Sequence, residues 1–329
     1  MSTLKDIAKN AGVSVCTVSR YINRKIKVKA DTAKKIDHAI EHLHYIPNNA
    51  AKTLKTNFSS NVALLIPTLA NLLFAESAHE IETVFRQNGF SVFIYGFEND
   101  IRREKAVIPR LIENRVAGVL FNTLPSNYED FLHLRSLDRN GIPYVFLNRM
   151  FSPIPIPSVY VDYYKAAYDA TGYLIESGRK QVAIMLGRLR QPQSHINYLG
   201  YTSALRERGR DFSSHTIFEC DYDSNQIPAL VERALAEKID AFYCLTDLIA
   251  IHVIHALRAL GRRVPDDVAV IGAGNTAFAT LMDPQLTTVD LKNRLLGRSG
   301  AQLLLDIIKK CDHQQTLILE PNLIFRGTA

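Results

Sequence analysis

Several common signatures are missing from this sequence of 329 residues, and each absence removes a class of protein. The four cysteines lie far apart, with no C-x-x-C pair and no nearby histidine at zinc spacing, which excludes a disulfide scaffold. No run of about 18 apolar residues occurs. Lys5 and Asp6 interrupt the place where a signal peptide needs its apolar stretch. We therefore expect reduced thiols and a cytoplasmic protein without membrane spans.

The motifs of common enzyme classes are also missing. There is no phosphate-binding P-loop and no G-x-S-x-G nucleophile elbow. Gly272-Ala273-Gly274-Asn275 follows a predicted strand but lacks the third glycine of a dinucleotide fingerprint. Because no catalytic or metal-ligating constellation stands out, we predict no enzymatic activity, no cofactor and no metal site.

What the chain does contain is an ordinary globular composition with an uneven charge distribution. Hydrophobic residues make up 47% and charged residues 22%, and this length favours two or three domains of roughly 100–200 residues each. Residues 1–57 carry 11 Lys and Arg against four acids, whereas the rest of the chain is almost neutral. A small basic head with few aromatic residues favours duplex DNA over single strands as its partner.

The basic head shows only helical periodicity. Thr3-Leu4-Lys5-Asp6 resembles a capping box, Gly12 permits a tight turn, and Ser14 is placed to cap a second helix over 15–22. A third helix is predicted over 31–44, with Ala33, Ile36, Ile40 and Leu43 as its buried stripe. This order of elements predicts a helix-turn-helix.

The residue pattern of the sequence changes after residue 61. Short β-rich runs alternate with helical patterns, which predicts parallel sheets built by right-handed crossovers. About eleven strands are too many for one ordinary sheet, and a break near 158–162 divides them into two groups, so we predict two doubly wound lobes with a ligand cleft between them. The predicted strands include 62–66, 90–95, 116–121, 144–147, 182–186, 241–245 and 268–271, and predicted helices include 75–88, 165–177, 196–208 and 248–260.

The second helix of the head is the candidate recognition helix. Val15, Cys16, Ser19 and Arg20 share one face by their spacing. Arg20 suits a guanine edge and Val15 a thymine methyl group. Contact with phosphate or solvent remains the alternative for Arg20, and Thr17 and Ser19 are equally suited to phosphates.

Taken together, the motifs resemble the lactose/galactose repressor family of bacterial transcription regulators, with a gluconate-repressor-like subgroup as one option. The head and hinge match in Leu4-Lys5-Asp6-Ile7-Ala8, Ala11-Gly12-Val13-Ser14, Thr17-Val18-Ser19-Arg20 and Tyr45-Ile46-Pro47-Asn48. The body matches in Asn71-Leu72-Leu73-Phe74-Ala75-Glu76, Thr246-Asp247-Leu248-Ile249-Ala250, Val264-Pro265-Asp266-Asp267-Val268, Leu286-Thr287-Thr288-Val289 and Arg326-Gly327-Thr328. The resemblance covers essentially the full chain.

This resemblance implies an α/β protein with a helix-turn-helix head at 1–45, a hinge helix or linker at 46–58 and two doubly wound parallel-sheet lobes like periplasmic sugar-binding proteins at 59–329. Lobe 1 is expected over about 59–159 plus 290–319, and lobe 2 over about 160–289 plus 320–329. Leu54 is implied as a hinge residue that wedges into the minor groove. The expected DNA-binding residues are Thr3, Leu4, Ser14, Val15, Cys16, Thr17, Ser19, Arg20, Asn23, Asn48, Ala51, Leu54 and Lys55.

The resemblance also implies an effector site in the cleft. Many sugar-binding members of the family have Arg where this chain has Asn197 and Asp where it has Gly274. These departures, with the positive charge of Arg188, Arg190 and His195 in one loop, favour an anionic effector such as a sugar acid or sugar phosphate. The expected effector-binding residues are Leu73, Phe74, Asn148, Arg149, Asp162, Arg188, Arg190, His195, Asn197, Tyr222, Asp247 and Asn275.

Alternatives remain open at several of these positions. Phe74 also suits the core, Asp247 also suits a helix cap, and Asn148 with Arg149 also suits the lobe hinge. The favoured function is a homodimeric, nucleoid-associated repressor of a carbohydrate-catabolism operon that binds a pseudo-palindromic operator and responds to a small-molecule effector. Control by a protein co-repressor and sensing of a neutral sugar are the competing interpretations.

Overall fold

The computed structural model describes residues 2–22, 26–45, 59–98, 100–122, 132–148, 156–210, 216–220, 224–312 and 316–329. The chain forms two compact units, Met1–Ser59 and Ser60–Ala329. None of the helices in these ranges is both long and apolar enough to cross a membrane.

The described part of the first unit contains three helices: α1 (Leu4–Ala11), α2 (Val15–Ile22) and α3 (Ala30–His42). A capping box begins α1, because the Thr3 hydroxyl accepts from the Asp6 amide while the Asp6 carboxylate accepts from the Thr3 amide at 2.8 Å. Gly12 ends α1 with φ of +67°, a conformation that favours glycine, and so permits the tight turn into α2. The predicted helix-turn-helix is confirmed.

One aliphatic side chain from each helix closes the core of this unit. Ile7, Val18 and Ile36 are fully buried. On α3 the buried stripe differs from the prediction, because Ala39 is fully buried whereas Ala33, Ile40 and Leu43 are only partly covered. Ala39 is a small residue, and a search for large apolar residues overlooks it.

The second unit contains two six-stranded sheets in its described part. Sheet 1 has the order β11-β5-β4-β3-β1-β2, and sheet 2 has the order β12-β10-β9-β8-β6-β7. All recorded pairs are parallel except β10 with β12. The strands are β1 (Asn61–Ile66), β2 (Ser91–Gly96), β3 (Val119–Phe121), β4 (Tyr144–Leu147), β5 (Ser158–Val161), β6 (Val182–Leu186), β7 (Ile217–Glu219), β8 (Ala241–Cys244), β9 (Ala269–Ala273), β10 (Thr287–Asp290), β11 (Thr316–Leu319) and β12 (Asn322–Ile324).

Helices cover the faces of both sheets, as the fully buried central strands require. Helix α12 packs against α4 and sheet 1, and α7 packs against α8 and sheet 2. The helices are α4 (Leu72–Gln87), α5 (Ile101–Glu113), α6 (Arg135–Arg139), α7 (Tyr163–Glu176), α8 (Pro192–Glu207), α9 (Ile227–Ala236), α10 (Asp247–Ala259), α11 (Ala277–Leu281) and α12 (Asn293–Lys309).

Among the described strands, the chain passes between the two sheets three times, after β5, after β10 and after β11. The break expected near 158–162 falls on β5, which pairs with β4 and β11 in sheet 1. Asp162 then begins α7 as its N-cap, accepting from the Lys165 amide at 2.9 Å. The first crossing therefore lies at the end of a short strand.

Candidate DNA-reading head and effector cleft

Helix α2 presents an uncovered face in the first unit. Val15, Cys16 and Arg20 are exposed, and Val15 keeps 40% of its surface although it is apolar. Ser14 begins the helix, because its hydroxyl accepts from the Thr17 amide at 3.1 Å and lies 2.8 Å from the Thr17 hydroxyl. Thr17 and Ser19 are half-buried, whereas Thr3 is exposed and Leu4 packs partly into the core.

Two acids of this unit, Asp6 and Asp37, accept hydrogen bonds from hydroxyl groups. Hydrogen bonds from Thr3 lower the pKa of the Asp6 carboxyl. Asp37 accepts from the Tyr21 hydroxyl at 2.9 Å, which raises the pKa of Tyr21. Lysines 5, 9, 27, 29, 34 and 35 are all exposed and make no ion pair with a described residue. The predicted contacts Asn23, Asn48, Ala51, Leu54 and Lys55 lie outside the described residues.

A cavity of about 440 Å³ lies between the two sheets of the second unit. It opens at the carboxyl ends of the strands, where α/β proteins bind ligands. Among its described lining residues there is no Lys or Arg, and the polar groups are mainly amides and hydroxyls. Its polar lining is Thr68, Asn71, Glu104, Asn122, Asn148, Tyr163, Gln191, Gln193, Asn197, Tyr243, Thr246, His252 and Asn293.

The wall formed by sheet 1 carries a chain of side-chain amides. Asn122, which follows β3, donates to the Ser77 hydroxyl at 3.2 Å. Asn148, which follows β4 with φ of +59°, donates to Asn122 Oδ1 at 3.5 Å. The Oδ1 atom of Asn148 is buried and has no partner within the described residues. Leu73 and Phe74 line the same wall from the first turn of α4, behind the N-cap Asn71.

On the wall formed by sheet 2, polar groups form hydrogen bonds with each other. Asn197 is almost fully buried and donates to the Gln193 carbonyl at 2.9 Å. Its Oδ1 accepts from the Tyr243 hydroxyl at 3.1 Å, and burial raises the pKa of Tyr243. Asn197 therefore reaches the cavity with much of its hydrogen-bonding capacity already used.

Asp247 is buried at the start of α10 but does not line the cavity. Its carboxylate accepts from the Thr276 amide at 2.7 Å, from the Thr276 hydroxyl at 2.9 Å and from the Thr288 hydroxyl at 2.5 Å. Burial raises the pKa of Asp247, opposed by these hydrogen bonds. The alternative of a helix cap is wrong, since Thr246 is the N-cap of α10. Asp247 instead joins α10 to β10 and the loop after β9.

The structure does not bring the cations predicted for the effector into the cavity lining. Arg188, Arg190 and His195 are all exposed, and the His195 ring lies 6.0 Å from that of Tyr198. Arg188 and Arg190 lie between β6 and α8, and His195 lies in the first turn of α8. A loop's position after a strand fixes which end of the sheet it occupies, but not which way its side chains extend.

Two further predicted effector residues have structural partners outside the lining. Asp162 caps α7, and Asn275 Oδ1 accepts from the Arg326 guanidinium at 2.7 Å. Leu73, Phe74, Asn148 and Asn197 do line the cavity. Arg149 and Tyr222 lie outside the described residues.

Gly274 has a packing reason for lacking a side chain. Its φ is +136°, and a Cβ atom there would lie 2.8 Å from Leu73 Cδ2 and 3.3 Å from Asp247 Oδ2. A residue with a carboxylate at this position would therefore collide with Leu73 and approach the charge of Asp247. The missing Asp follows from the arrangement of these two neighbours.

Sequence reasoning missed Glu104 and its partner His133. Glu104 lies on α5 with only 2% of its surface exposed and lines the cavity, and His133 Nε2 is 2.9 Å from its carboxylate. The two residues are far apart in sequence and match no short motif. The detectable signal is position: Glu104 falls on the same face of α5 as the buried Ile108 and Leu111.

The head and the cleft together define a DNA-binding regulator with a ligand-binding body. Residues 3–48 match the model of bacterial regulatory proteins of the lacI family, and residues 171–329 match a periplasmic binding protein-like domain. Catabolite control protein A of Priestia megaterium is 32% identical over 98% of this chain and 97% of that protein. The chain belongs to the lacI family of bacterial regulatory proteins.

Further relatives also match this chain over nearly its full length. The HTH-type transcriptional repressor PurR of Erwinia tasmaniensis is 32% identical over 99% of this chain and 96% of its own. The lac repressor dimer bound to operator and the anti-inducer ONPF matches with a TM-score of 0.89 and 26% identity, over 99% and 98% of the two chains. A CelR–cellobiose complex matches with a TM-score of 0.75 and 28% identity over the whole of both chains. These relatives are named as regulators, and the protein is a transcriptional regulator.

Proposed function

We propose that this protein is a repressor that binds a pseudo-palindromic operator as a homodimer and changes its operator affinity when a small molecule occupies the cleft. The uncovered face of α2 carries this proposal. Val15, Cys16 and Arg20 extend from a helix whose opposite side is closed into the core by Val18. An exposed apolar residue beside an exposed guanidinium suits the methyl groups and guanine edges of a major groove.

The charge of the head supports duplex DNA as the partner. Its exposed lysines make no ion pair with a described residue, and residues 1–57 carry 11 Lys and Arg against four acids. Such a surface gains affinity by releasing counterions from phosphates. Binding of this kind makes the protein nucleoid-associated, and nothing in it requires a catalytic step.

Exposed apolar side chains on the second unit support a homodimer. Phe278 and Leu281 on α11 are uncovered, and Leu281 retains 78% of its surface. Phe93 and Ile94 are also exposed on β2, which is an edge strand of sheet 1. Large uncovered apolar residues on both halves of a protein suit an interface that spans both. Leu281→Asp is expected to shift the sedimentation of the protein toward the monomer, whereas Thr280→Asp on the same short helix serves as the control.

The cleft supports a neutral polar effector rather than an anion. Amides and hydroxyls dominate its described polar lining, and the cations that favour an anionic ligand are exposed outside it. Leu73 and Phe74 offer an apolar surface beside these groups. This combination suits a sugar, and the similar CelR structure holds cellobiose. We therefore place the regulated genes in carbohydrate catabolism.

Operator selection followed by titration tests the DNA-binding role. Arg20→Ala is expected to cost roughly 1–3 kcal/mol on the selected operator and to relax base choice at one position per half-site. Lys35→Ala, at an exposed site on α3, should weaken binding slightly and equally on all sequences. A uniform loss with Arg20→Ala would show that Arg20 contacts only phosphate.

The hinge assignment needs a separate test, because Leu54 lies outside the described residues. If Leu54 wedges into the minor groove, Leu54→Ala should weaken operator binding far more than binding to random DNA. The core of the head contains other residues, so its melting temperature should not change. Equal losses on both DNAs would contradict the hinge assignment.

A further inference from the structure

Glu104 is a buried acidic residue that lines the cleft. It lies on α5 with 2% of its surface exposed and lines the cavity together with Phe97 and Ile101. His133 Nε2 lies 2.9 Å from Glu104 Oε1. When the carboxylate is ionised it only accepts hydrogen bonds, so the His133 ring donates and fixes the direction of the carboxylate.

This carboxylate has more acceptor capacity than the described residues use. A carboxylate offers about four acceptor positions, and the recorded hydrogen bond to Glu104 from the described part of the chain is the one from His133. Burying a charge is unfavourable unless further donors reach it. Asn148 Oδ1, on the same wall, is buried and equally lacks a donor among the described residues.

The charged and titratable groups that line the cavity also favour a ligand that donates hydrogen bonds. Its described lining contains no Lys or Arg. His252 lines the opposite wall, and its pKa is lowered by burial and by the neighbouring His255, which favours the neutral ring. Glu104 is the one acidic side chain of the described lining, and the His133 ring is its recorded partner. A carboxylate or phosphate on a ligand would place further acceptors beside this carboxylate, whereas a hydroxyl or ammonium group would donate to it.

We infer that Glu104, positioned by His133, provides a subsite for a hydrogen-bond-donating group of the effector, either a hydroxyl or an ammonium group. The inference rests on the proposed binding of an effector in the cleft, and it names the chemistry that selects the ligand. A neutral sugar or an amino sugar supplies the missing donors. A sugar acid whose carboxylate enters this subsite is rejected.

Ligand binding to the full chain tests the subsite. A thermal-shift screen of neutral mono- and disaccharides, their amino-sugar counterparts and their uronic acid counterparts is followed by calorimetry of each compound that binds. Neutral or amino compounds should bind the wild type at least about ten-fold more tightly than the matched acids. Glu104→Gln should lower the affinity for the neutral and amino compounds by about ten-fold. It should also reduce the ratio between their affinity and that of the matched acids.

Two controls separate a local effect from a general one. Glu113→Gln changes an exposed carboxyl at the other end of α5 and should leave binding unchanged. Operator affinity without ligand should agree between Glu104→Gln and the wild type within two-fold, which shows that the variant folds. His133→Gln retains an N–H donor and should keep the discrimination against acids, whereas His133→Leu should lose it.

The outcomes distinguish this inference from the function on which it rests. If no compound of any charge class stabilises the wild type, effector binding in the cleft is itself overturned. If compounds bind but the matched acids bind as tightly, or Glu104→Gln binds like the wild type, the subsite is wrong while the effector role stands. Discrimination that survives His133→Leu would overturn the positioning role of His133.

Discussion

Two buried carboxylates flank the cleft, one associated with each sheet, and the protein treats them in opposite ways. Asp247 accepts three hydrogen bonds from Thr276 and Thr288 and is withdrawn from the cavity lining. Glu104 accepts one from His133 within the described residues and lines the cavity. Both are nearly inaccessible, so burial alone does not separate a structural carboxylate from one available to a ligand. The number of hydrogen-bond donors that the protein supplies to each carboxylate distinguishes the structural one from the one available to a ligand.

The surroundings of Asp247 explain its structural use. A Cβ atom at Gly272 would lie 2.6 Å from Asp247 Oδ1, and one at Gly274 would lie 3.3 Å from Oδ2. The backbone after β9 can therefore approach the carboxylate only because both residues lack side chains. Asp247 thus holds the start of α10 against the ends of β9 and β10.

The largest effect that tests this comparison is expected for Asp247→Ala. The substitution leaves the Thr276 amide and two hydroxyl groups buried without their acceptor, so it should lower the free energy of unfolding by about 3 kcal/mol. Denaturant unfolding measures the change. Asp266→Ala removes an exposed carboxylate and should change stability by less than about 0.5 kcal/mol. A loss equally small for Asp247→Ala would remove the distinction between the two buried carboxylates.

Gly274→Ala is expected to have the next largest effect, about 2 kcal/mol. The added methyl group meets Leu73 Cδ2 at 2.8 Å, and φ is +136°. Gly261 is a matched control, because its φ is +71° but nothing lies within 4 Å of its Cβ position. Gly261→Ala should therefore cost about 1 kcal/mol, from the backbone alone. Equal costs would show that contact with Leu73 and Asp247 does not constrain Gly274.

The fold was predictable where a single physical rule determines an element. Capping and turn chemistry at Thr3 and Gly12 predicted α1 and its end, and the alternation of strands and helices predicted the parallel sheets. The short strand β5 was read as a break because four residues give little periodicity. Its strand character comes from pairing with β4 and β11, which are distant in sequence.

The cleft was predictable only in part, because family resemblance locates backbone positions and not side-chain directions. Leu73, Phe74, Asn148 and Asn197 were placed in it and line it. The loop with Arg188 and Arg190 carries its charge outward instead. Glu104 was overlooked because its importance arises from His133, and that contact joins α5 to the segment before α6.

A smaller effect is expected for Tyr243→Phe, which removes one hydrogen bond to Asn197 Oδ1 and should cost about 1 kcal/mol of stability. The substitution also tests the comparison of the two walls. It removes the donor to Asn197 Oδ1 on the wall formed by sheet 2, so that this oxygen becomes available to a ligand. Tyr201→Phe is the control, because its hydroxyl contacts Val182 and Thr216 outside the cavity lining. Only Tyr243→Phe should change ligand affinity in calorimetry. A matching change with Tyr201→Phe would indicate a general loosening of the lobe.

The smallest expected effect is the pH dependence of Asp247, followed by comparing the wild type with Asp247→Asn. Burial raises the folded-state pKa of Asp247 above its ordinary value of 3.8, so folding favours the protonated form. That contribution to stability is complete below 3.8 and is lost as the pH rises through the folded-state pKa. The wild type should therefore lose stability relative to Asp247→Asn as the pH increases from 3 toward neutrality. Asp267 provides a control of opposite sign, because hydrogen bonds from Arg263 lower its pKa. The wild type should therefore gain stability relative to Asp267→Asn as the pH rises over the same range. Denaturant unfolding at several pH values measures both differences, and a parallel gain for Asp247 would show that its hydrogen bonds outweigh its burial.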